Sequence, residues 1–563
     1  MLGDQHAGFQ QPIVACLNRH LAKAGFDLIY VCGGSLKPAA DWDENEKITR
    51  NAIYPLVRNF PVAGFVILTA SIGEHANARA LAHFVRQFSH RPVVCYGSSV
   101  PRIASVQIDY YTMMGRLMEY MTADPRRKRF VFLRGAPENP RSLTQERAFR
   151  DALTHRQLPV VEELFVNGNF QATDAYKAMK RLLQHTCEFD AVIAASDDMA
   201  QAAIHALASH GLRVPEDVIV SGFHNTLAAS SSLTPITTVH CTEDSMSALV
   251  TASLRSQIVS GEYISDNSRV LHPPARLIIR ASTESPEDSE PVIAASHAFD
   301  AVKFRAALLH SMSSLRHPAE LLAEDIIDDI VSMLVNGTPF TGSRLALALK
   351  AMQLQPSDTY WWRHMHRQIT ANLERHGSEG QSSDALSRAA VILGKIHETI
   401  WNVECSASVR KERHKDISQR FKASLTRVSC QRGLVAALDE LSEHCNSEGA
   451  FLCLYENVGE QPDEFARVIF QRKRGTRSET QSDRFRSADL LPGDFLHSGF
   501  TGPLLLEPLC IGNTHLGFLV LDLSGDEFCD QALVTELSDY LCCAIWRLQH
   551  EGRSTPSPLP DMP

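Results

Sequence analysis

The chain has 563 residues, 44% of them apolar and 21% charged, and a formal net charge of −10. This length exceeds what one hydrophobic core usually organises, so the sequence predicts about two to four globular domains. The acidic balance, with a pI near 6.2, excludes the global basic character by which many proteins hold nucleic acid.

The 13 cysteines are odd in number and lack C-x-x-C or zinc-type spacing, which argues against a disulfide scaffold and favours a reducing compartment. The N-terminus lacks the pattern of a signal peptide, and no apolar run reaches the roughly eighteen residues of a membrane span. We therefore expect a cytoplasmic protein without membrane contact. No cofactor motif occurs, and His364 and His366 lack further ligands at usable spacing for zinc.

Strand and helix patterns alternate through the first part of the chain. The predicted helices are Ile13–Ala24, Asn51–Val57, Ala76–Phe88, Tyr111–Thr122 and Arg141–Thr154. The predicted strands are Leu28–Cys32, Gly64–Thr69, Pro92–Tyr96, Val106–Asp109, Arg129–Leu133 and Val161–Phe165. This alternation is typical of doubly wound α/β lobes with parallel sheets, and it finishes near Arg280.

The clearest unit of this kind is Asp190–Val239. Two apolar strands, Ala191–Ala195 and Val218–Gly222, flank an amphipathic helix from about Met199 to His210. Since ligands bind beyond the carboxyl ends of parallel strands, the polar residues that follow these strands are candidate ligand contacts.

The same stretch resembles the sensor domain of the LacI/GalR regulators. It contains ASDDMAQAAIHALASHGLRVPEDVIVSGFHN followed by LTPITTV. That family shows N-D-x-M-A, a helix, V-P-x-D-v-x-V-x-G-F-D-D and l-T-P-x-l-T-T-V in this order. The resemblance implies a two-lobed α/β sensor of the periplasmic-binding-protein type, with a small ligand between the lobes.

A LacI-like lobe begins with an apolar strand, whereas this chain starts at Met1–Leu2–Gly3–Asp4, a stretch typical of the loop after that strand. We therefore expect the first central strand of the sensor, residues 1–281, to be missing. A translation start upstream of Met1 is the favoured explanation, because loss of a central strand leaves buried backbone groups unpaired. A truncated gene, or another segment in that position, remains open.

Beyond the sensor, residues 282–300 are acidic and rich in Ser and Pro, which predicts a linker. Residues 301–430 show long amphipathic helical stretches, and residues 551–563 read as a disordered tail.

Between residues 431 and 550 the pattern predicts a small α+β domain. Its elements are helix Gly433–His444, strands Gly449–Tyr455, Phe465–Gln471, Pro503–Cys510 and His515–Leu523, and helix Cys529–His550. The pieces SEGAFLCLYEN, ADLLP, PLLLEPLCIGNTHLGFLVLDL and ELSDYLCCAIWRL resemble GAF-like domains of bacterial signalling proteins. Those proteins continue into an output domain, which we expect to be absent here. SGDEF at Ser524–Phe528 resembles a cyclase signature but lacks its first Gly and a surrounding domain.

The resemblance places three ligand-holding positions on Gln145, Ser196 and His224, where the family usually has Arg, Asn and Asp. Arg147 lies two residues beyond Gln145 and is a possible substitute for the missing Arg. His224 and Asn225 at a strand tip are the better candidates. Asp197 matches the family Asp, and capping of the helix is favoured over ligand contact.

The remaining candidate ligand residues are Asp4, Ser71 and Asp109, each of which lies near the end of a strand position.

The sequence thus predicts a non-enzymatic ligand-sensing regulator that binds a small polar, sugar-like or nucleoside-like molecule, acts in transcription regulation or signal transduction, and forms a homodimer. No reading helix supports DNA binding by this chain. Two alternatives stay open: the input half of a diguanylate cyclase or histidine kinase with a separate output protein, and a ligand-free interaction scaffold.

Overall fold

A computed structural model describes most of the sensor and of the C-terminal α+β segment. The described residues are 1–4, 10–37, 50–226, 229, 232, 234–261, 269–283, 412–444, 449–473, 476–478, 484–490, 503–523 and 531–550. The predicted linker, most of the predicted helical region, SGDEF, the HMH stretch and the predicted tail lie outside these residues. The chain forms two compact units.

The first unit combines three parts of the chain: Met1–Val106, Ser247–Leu271 and the described residues from Glu412 onward. Its N-terminal lobe holds a parallel sheet in the order β11-β5-β4-β3-β1-β2. The strands are β1 (Leu2–Asp4), β2 (Ile29–Gly33), β3 (Phe65–Ile67), β4 (Val93–Tyr96), β5 (Ala104–Val106) and β11 (Val270–Leu271).

The first central strand is present, so its predicted absence is wrong. Leu2 lies opposite Val31 of β2 and also opposite Ile67 of β3, which places β1 between these two strands. The slot is filled by only three residues, and the backbone of Val31 donates to Met1 O over 2.9 Å. Three residues are too few for a recognisable strand pattern.

Helices of this lobe cover the sheet. They are α1 (Gln10–Lys23), α2 (Ile53–Arg58), α3 (Thr69–Ile72), α4 (Ala78–Arg86) and α9 (Glu243–Ser260), the last of which begins in the second unit. The strong apolar face of α4 buries Leu81, Phe84 and Val85. These side chains join Val31, Phe65 and Val93 in one core.

The C-terminal α+β segment carries an antiparallel sheet in the order β17-β18-β13-β14-β15, with β16 beside β14. Its strands are β13 (Gly449–Gly459), β14 (Phe465–Lys473), β15 (Thr476–Ser478), β16 (Phe485–Arg486), β17 (Leu504–Ile511) and β18 (Thr514–Asp522). Its helices are α10 (residues 412–426), α11 (Gln431–His444) and α12 (Gln531–His550). The predicted order of helix, antiparallel strands and helix is confirmed.

The second unit consists of Gln107–Met246 and the described residues from His272 onward. It contains a six-stranded sheet in the order β12-β10-β9-β8-β6-β7. The strands are β6 (Phe130–Arg134), β7 (Phe165–Asn167), β8 (Ala191–Ala194), β9 (Ile219–Phe223), β10 (Thr237–Cys241) and β12 (Ala275–Ile278). All neighbours are parallel except β10 and β12.

The helices of this unit are α5 (Tyr110–Met121), α6 (Pro140–His155), α7 (Ala172–His185) and α8 (Asp197–Ser209). The predicted strand–helix–strand unit is therefore confirmed, with small shifts at its ends. Most of the predicted strand Val161–Phe165 is instead a 3-10 turn at Glu162–Leu164, and the true strand starts at Phe165. The core is continuous, and the Phe132 and Phe149 rings stack with centroids 4.8 Å apart.

One glycine permits the close pairing of β13 and β18. A Cβ at Gly517 would overlap the carbonyl oxygen of Cys453 and lie 2.9 Å from Leu454 Cα, both of them backbone atoms of β13. We expect Gly517→Ala to lower the free energy of unfolding by about 1–3 kcal/mol, because a strand must move. Urea unfolding followed by circular dichroism measures this change.

The matched control is Gly459→Ala, also in β13, where an added Cβ has no atom within 4 Å. Equal unfolding midpoints for the two variants would contradict this account of the β13–β18 contact.

Candidate functional site

The polar residues of the second unit gather at the carboxyl ends of its parallel strands. β6, β8 and β9 are adjacent and parallel. They end at Arg134, Ala194 and Phe223. The segments that follow them therefore share one edge of the sheet, which is where parallel sheets present ligand-binding groups.

Ser196, not Asp197, caps the helix after β8. The Ser196 side chain accepts from Met199 N over 3.4 Å, and its own backbone is extended, as expected for an N-cap. The favoured prediction that Asp197 caps this helix is wrong. Its carboxylate accepts from Thr226 N over 2.7 Å and from Thr238 Oγ1 over 2.6 Å.

Asp197 thus joins the start of α8 to the segment after β9 and to β10. Its side chain is fully buried, and burial raises the pKa of this carboxyl to about 7 despite the hydrogen bonds from Thr238 and Thr226. Gly222 makes the contact possible, since a Cβ there would overlap Asp197 Oδ1 and lie 2.9 Å from Asp197 Cα. The carboxylate is a structural cross-link of the strand tip.

The strand tip itself is a constrained pair, His224 and Asn225, with backbone φ of +92° and +52°. Asn225 N donates to Thr238 Oγ1 over 3.2 Å, and Asn225 Oδ1 accepts from Arg280 Nη2 over 2.6 Å. Asn225 is buried, so it acts within the protein to hold the tip. Positive φ at non-glycine residues concentrates at functional sites, because the surrounding contacts must stabilise it.

His224 is held by the same tip but leaves a ring nitrogen open. Its Nε2 atom is buried and has no hydrogen-bond partner among the described residues. Burial, with the charge of Arg141 acting in the same direction, lowers the pKa of His224 to about 3. The imidazole is therefore neutral at physiological pH and offers one donor and one acceptor.

Gln145 is the second open position. The side chain is fully buried on α6, and Nε2 donates to Ala195 O over 3.1 Å. This bond orients the amide, and Oε1 has no partner among the described residues. Arg147 is exposed, and a separation of two residues puts it on the opposite side of the helix. The structure therefore does not bring Arg147 to the position of the missing Arg.

Three aromatic and cationic residues that the sequence analysis missed also lie here. The Tyr110 ring is edge-on to His224, with centroids 6.2 Å apart. Tyr110 also has a side-chain hydrogen bond with Arg141, and burial raises the pKa of its hydroxyl to about 12. The Arg141 guanidinium carbon lies 4.2 Å from the centroid of the Phe170 ring. The helix-starting sequence N-P-R at Arg141 and the G-N-F turn at Phe170 were the available signals.

The other candidate residues are placed separately. Asp109 caps α5, where its carboxylate accepts from Thr112 N and Oγ1 over 3.1 and 2.6 Å. Burial opposes the effect, but these hydrogen bonds lower the pKa of Asp109. Asp4 ends β1, and Ser71 is buried in α3 with Oγ donating to Leu68 O over 3.1 Å, so both belong to the first unit.

Across the described ranges, no group of three His, Cys, Asp or Glu side chains is arranged to hold a metal ion. Within the same ranges, no helix combines the length and apolar content needed to cross a bilayer.

Residues 123–283 match the family model of the periplasmic binding protein-like domain. This segment is a periplasmic-binding-protein-like domain. It contains β6–β10, β12 and the candidate site, and the predicted sensor of LacI/GalR type is confirmed at this level.

Curated relatives of the domain are transcription regulators. One is the HTH-type transcriptional regulator AscG of Escherichia coli (strain K12), 31% identical over 109 residues, which are 19% of this chain and 32% of AscG. Another is the HTH-type transcriptional repressor PurR of Yersinia pestis (strain Pestoides F), 35% identical over 116 residues, which are 21% of this chain and 34% of PurR. The chain thus spans about a third of these relatives.

Two solved structures show the same kind of similarity. The transcriptional regulator CelR–cellobiose complex is 22% identical with a TM-score of 0.42, covering 50% of this chain and 83% of CelR. The lac repressor dimer bound to operator and the anti-inducer ONPF is 17% identical with a TM-score of 0.42, covering 50% of this chain and 92% of that chain.

The buried Asp197 carboxyl makes stability depend on pH. Its pKa is raised from 3.8 to about 7 on folding, so its contribution to the free energy of unfolding is present below about pH 4 and is lost as pH rises through about 7. Asp197→Asn removes this titration. We expect the difference in unfolding free energy, wild type minus variant, to fall by up to about 4 kcal/mol between about pH 4 and pH 8.

Urea unfolding at several pH values measures this difference. The control is Asp151→Asn on the exposed side of α6, which keeps the wild-type pH dependence. Parallel curves for wild type and Asp197→Asn would refute the assignment.

Proposed function

We propose that this protein is a non-enzymatic ligand-sensing regulator of LacI/GalR-like type. Its second unit binds a small, uncharged polar molecule at the carboxyl edge of its parallel sheet. The observation that supports the proposal is the presence of two buried polar atoms, Gln145 Oε1 and His224 Nε2, without partners among the described residues at that edge.

Buried polar groups in folded proteins are nearly always hydrogen-bonded, and one left unpaired costs about 1–3 kcal/mol. Gln145 cannot turn its oxygen elsewhere without losing the bond from its Nε2 to Ala195 O. His224 is held by a constrained backbone whose N donates to Val239 O over 2.8 Å. A ligand that donates to Gln145 and hydrogen-bonds His224 would satisfy both groups.

The charged groups at this edge already have partners. Asp197 is held by Thr226 and Thr238, and Arg280 by Asn225. Arg141 lies over Phe170 and hydrogen-bonds Tyr110. A ligand carrying a carboxylate or phosphate would have to break these contacts, so a neutral sugar-like or nucleoside-like molecule fits the site better.

We further propose that the C-terminal α+β segment is a GAF-like domain, that the protein acts as a homodimer, and that a ligand-driven shift of populations is read by a separate output partner. The order of α10–α12 around one antiparallel sheet supports the GAF-like assignment. DNA binding forms no part of the proposal.

Thermal-shift screening of the purified protein against neutral sugars, nucleosides and charged amino acids tests the ligand site. A ligand at about a hundred times its Kd adds about 2.7 kcal/mol of stability. We expect a neutral compound to raise Tm by a few degrees, and His224→Ala or Gln145→Leu to weaken its binding about tenfold or more, since each loses a hydrogen bond.

The control is Arg147→Ala, on the exposed face of the same helix, which should bind like wild type. A flat response of wild type across a broad library would favour the ligand-free scaffold. A Tm shift that persists in His224→Ala and Gln145→Leu would place the ligand elsewhere.

A further inference from the structure

The outer edge of the N-terminal parallel sheet is covered by a strand from the far end of the chain. β17 pairs in parallel with β2, with Leu504 opposite Ile29, Leu505 opposite Tyr30 and Leu506 opposite Val31. Leu504 N also donates to Leu28 O over 2.9 Å. The N-terminal lobe and the C-terminal α+β segment therefore share one twelve-stranded sheet.

A buried ion pair lies at this junction. Arg50 Nη1 and Nη2 both lie 2.9 Å from Glu507 Oε1, across 457 positions of sequence. The two side chains are 5% and 1% exposed, so neither charge is solvated. A buried charge that loses its partner is strongly unfavourable, which makes this pair specific for the assembled junction.

Other titratable groups face the pair from three elements. Burial raises the pKa of Glu507 to about 7, against the opposing charge of Arg50, with Asp539 of α12 and Cys32 of β2 also acting on it. Cys510 of β17 and Cys542 of α12 act on Arg50. Thus β2, β17 and α12 all pack around one ion pair.

The two parts also share a hydrophobic core. Leu2, Val31 and Tyr54 of the lobe belong to the same buried cluster as Leu506 and Phe518 of the C-terminal sheet. Helix α2 of the lobe contacts the 3-10 turn Ser487–Asp489 of the C-terminal segment. Separation of the two parts would expose both an open sheet edge and apolar core.

We propose that the C-terminal α+β segment is a permanent structural part of the N-terminal lobe, and that the two fold and open as one cooperative unit positioned by Arg50 and Glu507. The segment then moves with the lobe and can relay its state directly, instead of acting as a domain on a flexible tether. This inference is independent of the proposed ligand.

Native-state hydrogen exchange of the full-length wild-type protein in increasing denaturant tests it. We expect backbone amides of β2 (Val31), β17 (Leu504) and β13 to exchange through one common opening, with equal free energy and equal denaturant dependence. Exchange of β17 and β13 through an opening that leaves β1–β4 protected would overturn the proposal.

The variants Glu507→Gln, Arg50→Met and their double variant test the ion pair. We expect each single change to accelerate exchange in both β2 and β17 about tenfold or more, and the double change to restore most of the protection because no unpaired charge remains. Amides of β8 in the second unit should keep their rates.

The matched control is Asp217→Asn, which breaks the exposed Arg213–Asp217 pair and should leave β2 and β17 unchanged. Faster exchange in β17 alone, with β2 still protected, would show that the segment is docked and not integrated. Should a single variant fail to fold, the wild-type denaturant series still decides between these outcomes.

Discussion

The second unit depends on one buried carboxylate. Asp197 joins three elements, because it starts α8, accepts from Thr226 after β9 and accepts from Thr238 in β10. Thr238 in turn accepts from Asn225 N, so the same contact fixes the strand tip that carries His224. Burial of a carboxyl is unfavourable, and these hydrogen bonds offset part of that cost.

This framework explains how a site can be rigid and still open. Asn225 and Asp197 use their hydrogen-bonding capacity inside the protein, whereas Gln145 Oε1 and His224 Nε2 have no partner among the described residues. The N-terminal lobe shows the opposite use of buried charge, since Arg50 and Glu507 pair with each other. Buried polar groups thus position the binding residues in one unit and join distant segments in the other.

Local patterns in the sequence predicted most helices and strands of both units, because amphipathic periodicity and turn residues act over a few positions. They could not reveal β1, whose three residues carry no pattern, or the true role of Asp197, whose partners lie 29 and 41 residues away. The clustering of Tyr110, Arg141 and Phe170 is likewise a property of the fold. Gln145 and His224 were found only through a family resemblance, and their open atoms only through the structure.

The most direct test of the account is the state of the His224 ring. Selective ¹⁵N labelling of histidine, with His224→Ala used to assign the signal among the 24 histidines, reports the protonation and hydrogen bonding of Nε2. The account predicts a neutral ring from about pH 5 to pH 8, and a shift of its Nε2 resonance when a neutral polar ligand binds. A ring that titrates near its ordinary pKa of about 6.5, or whose resonance is indifferent to bound ligand, would contradict it.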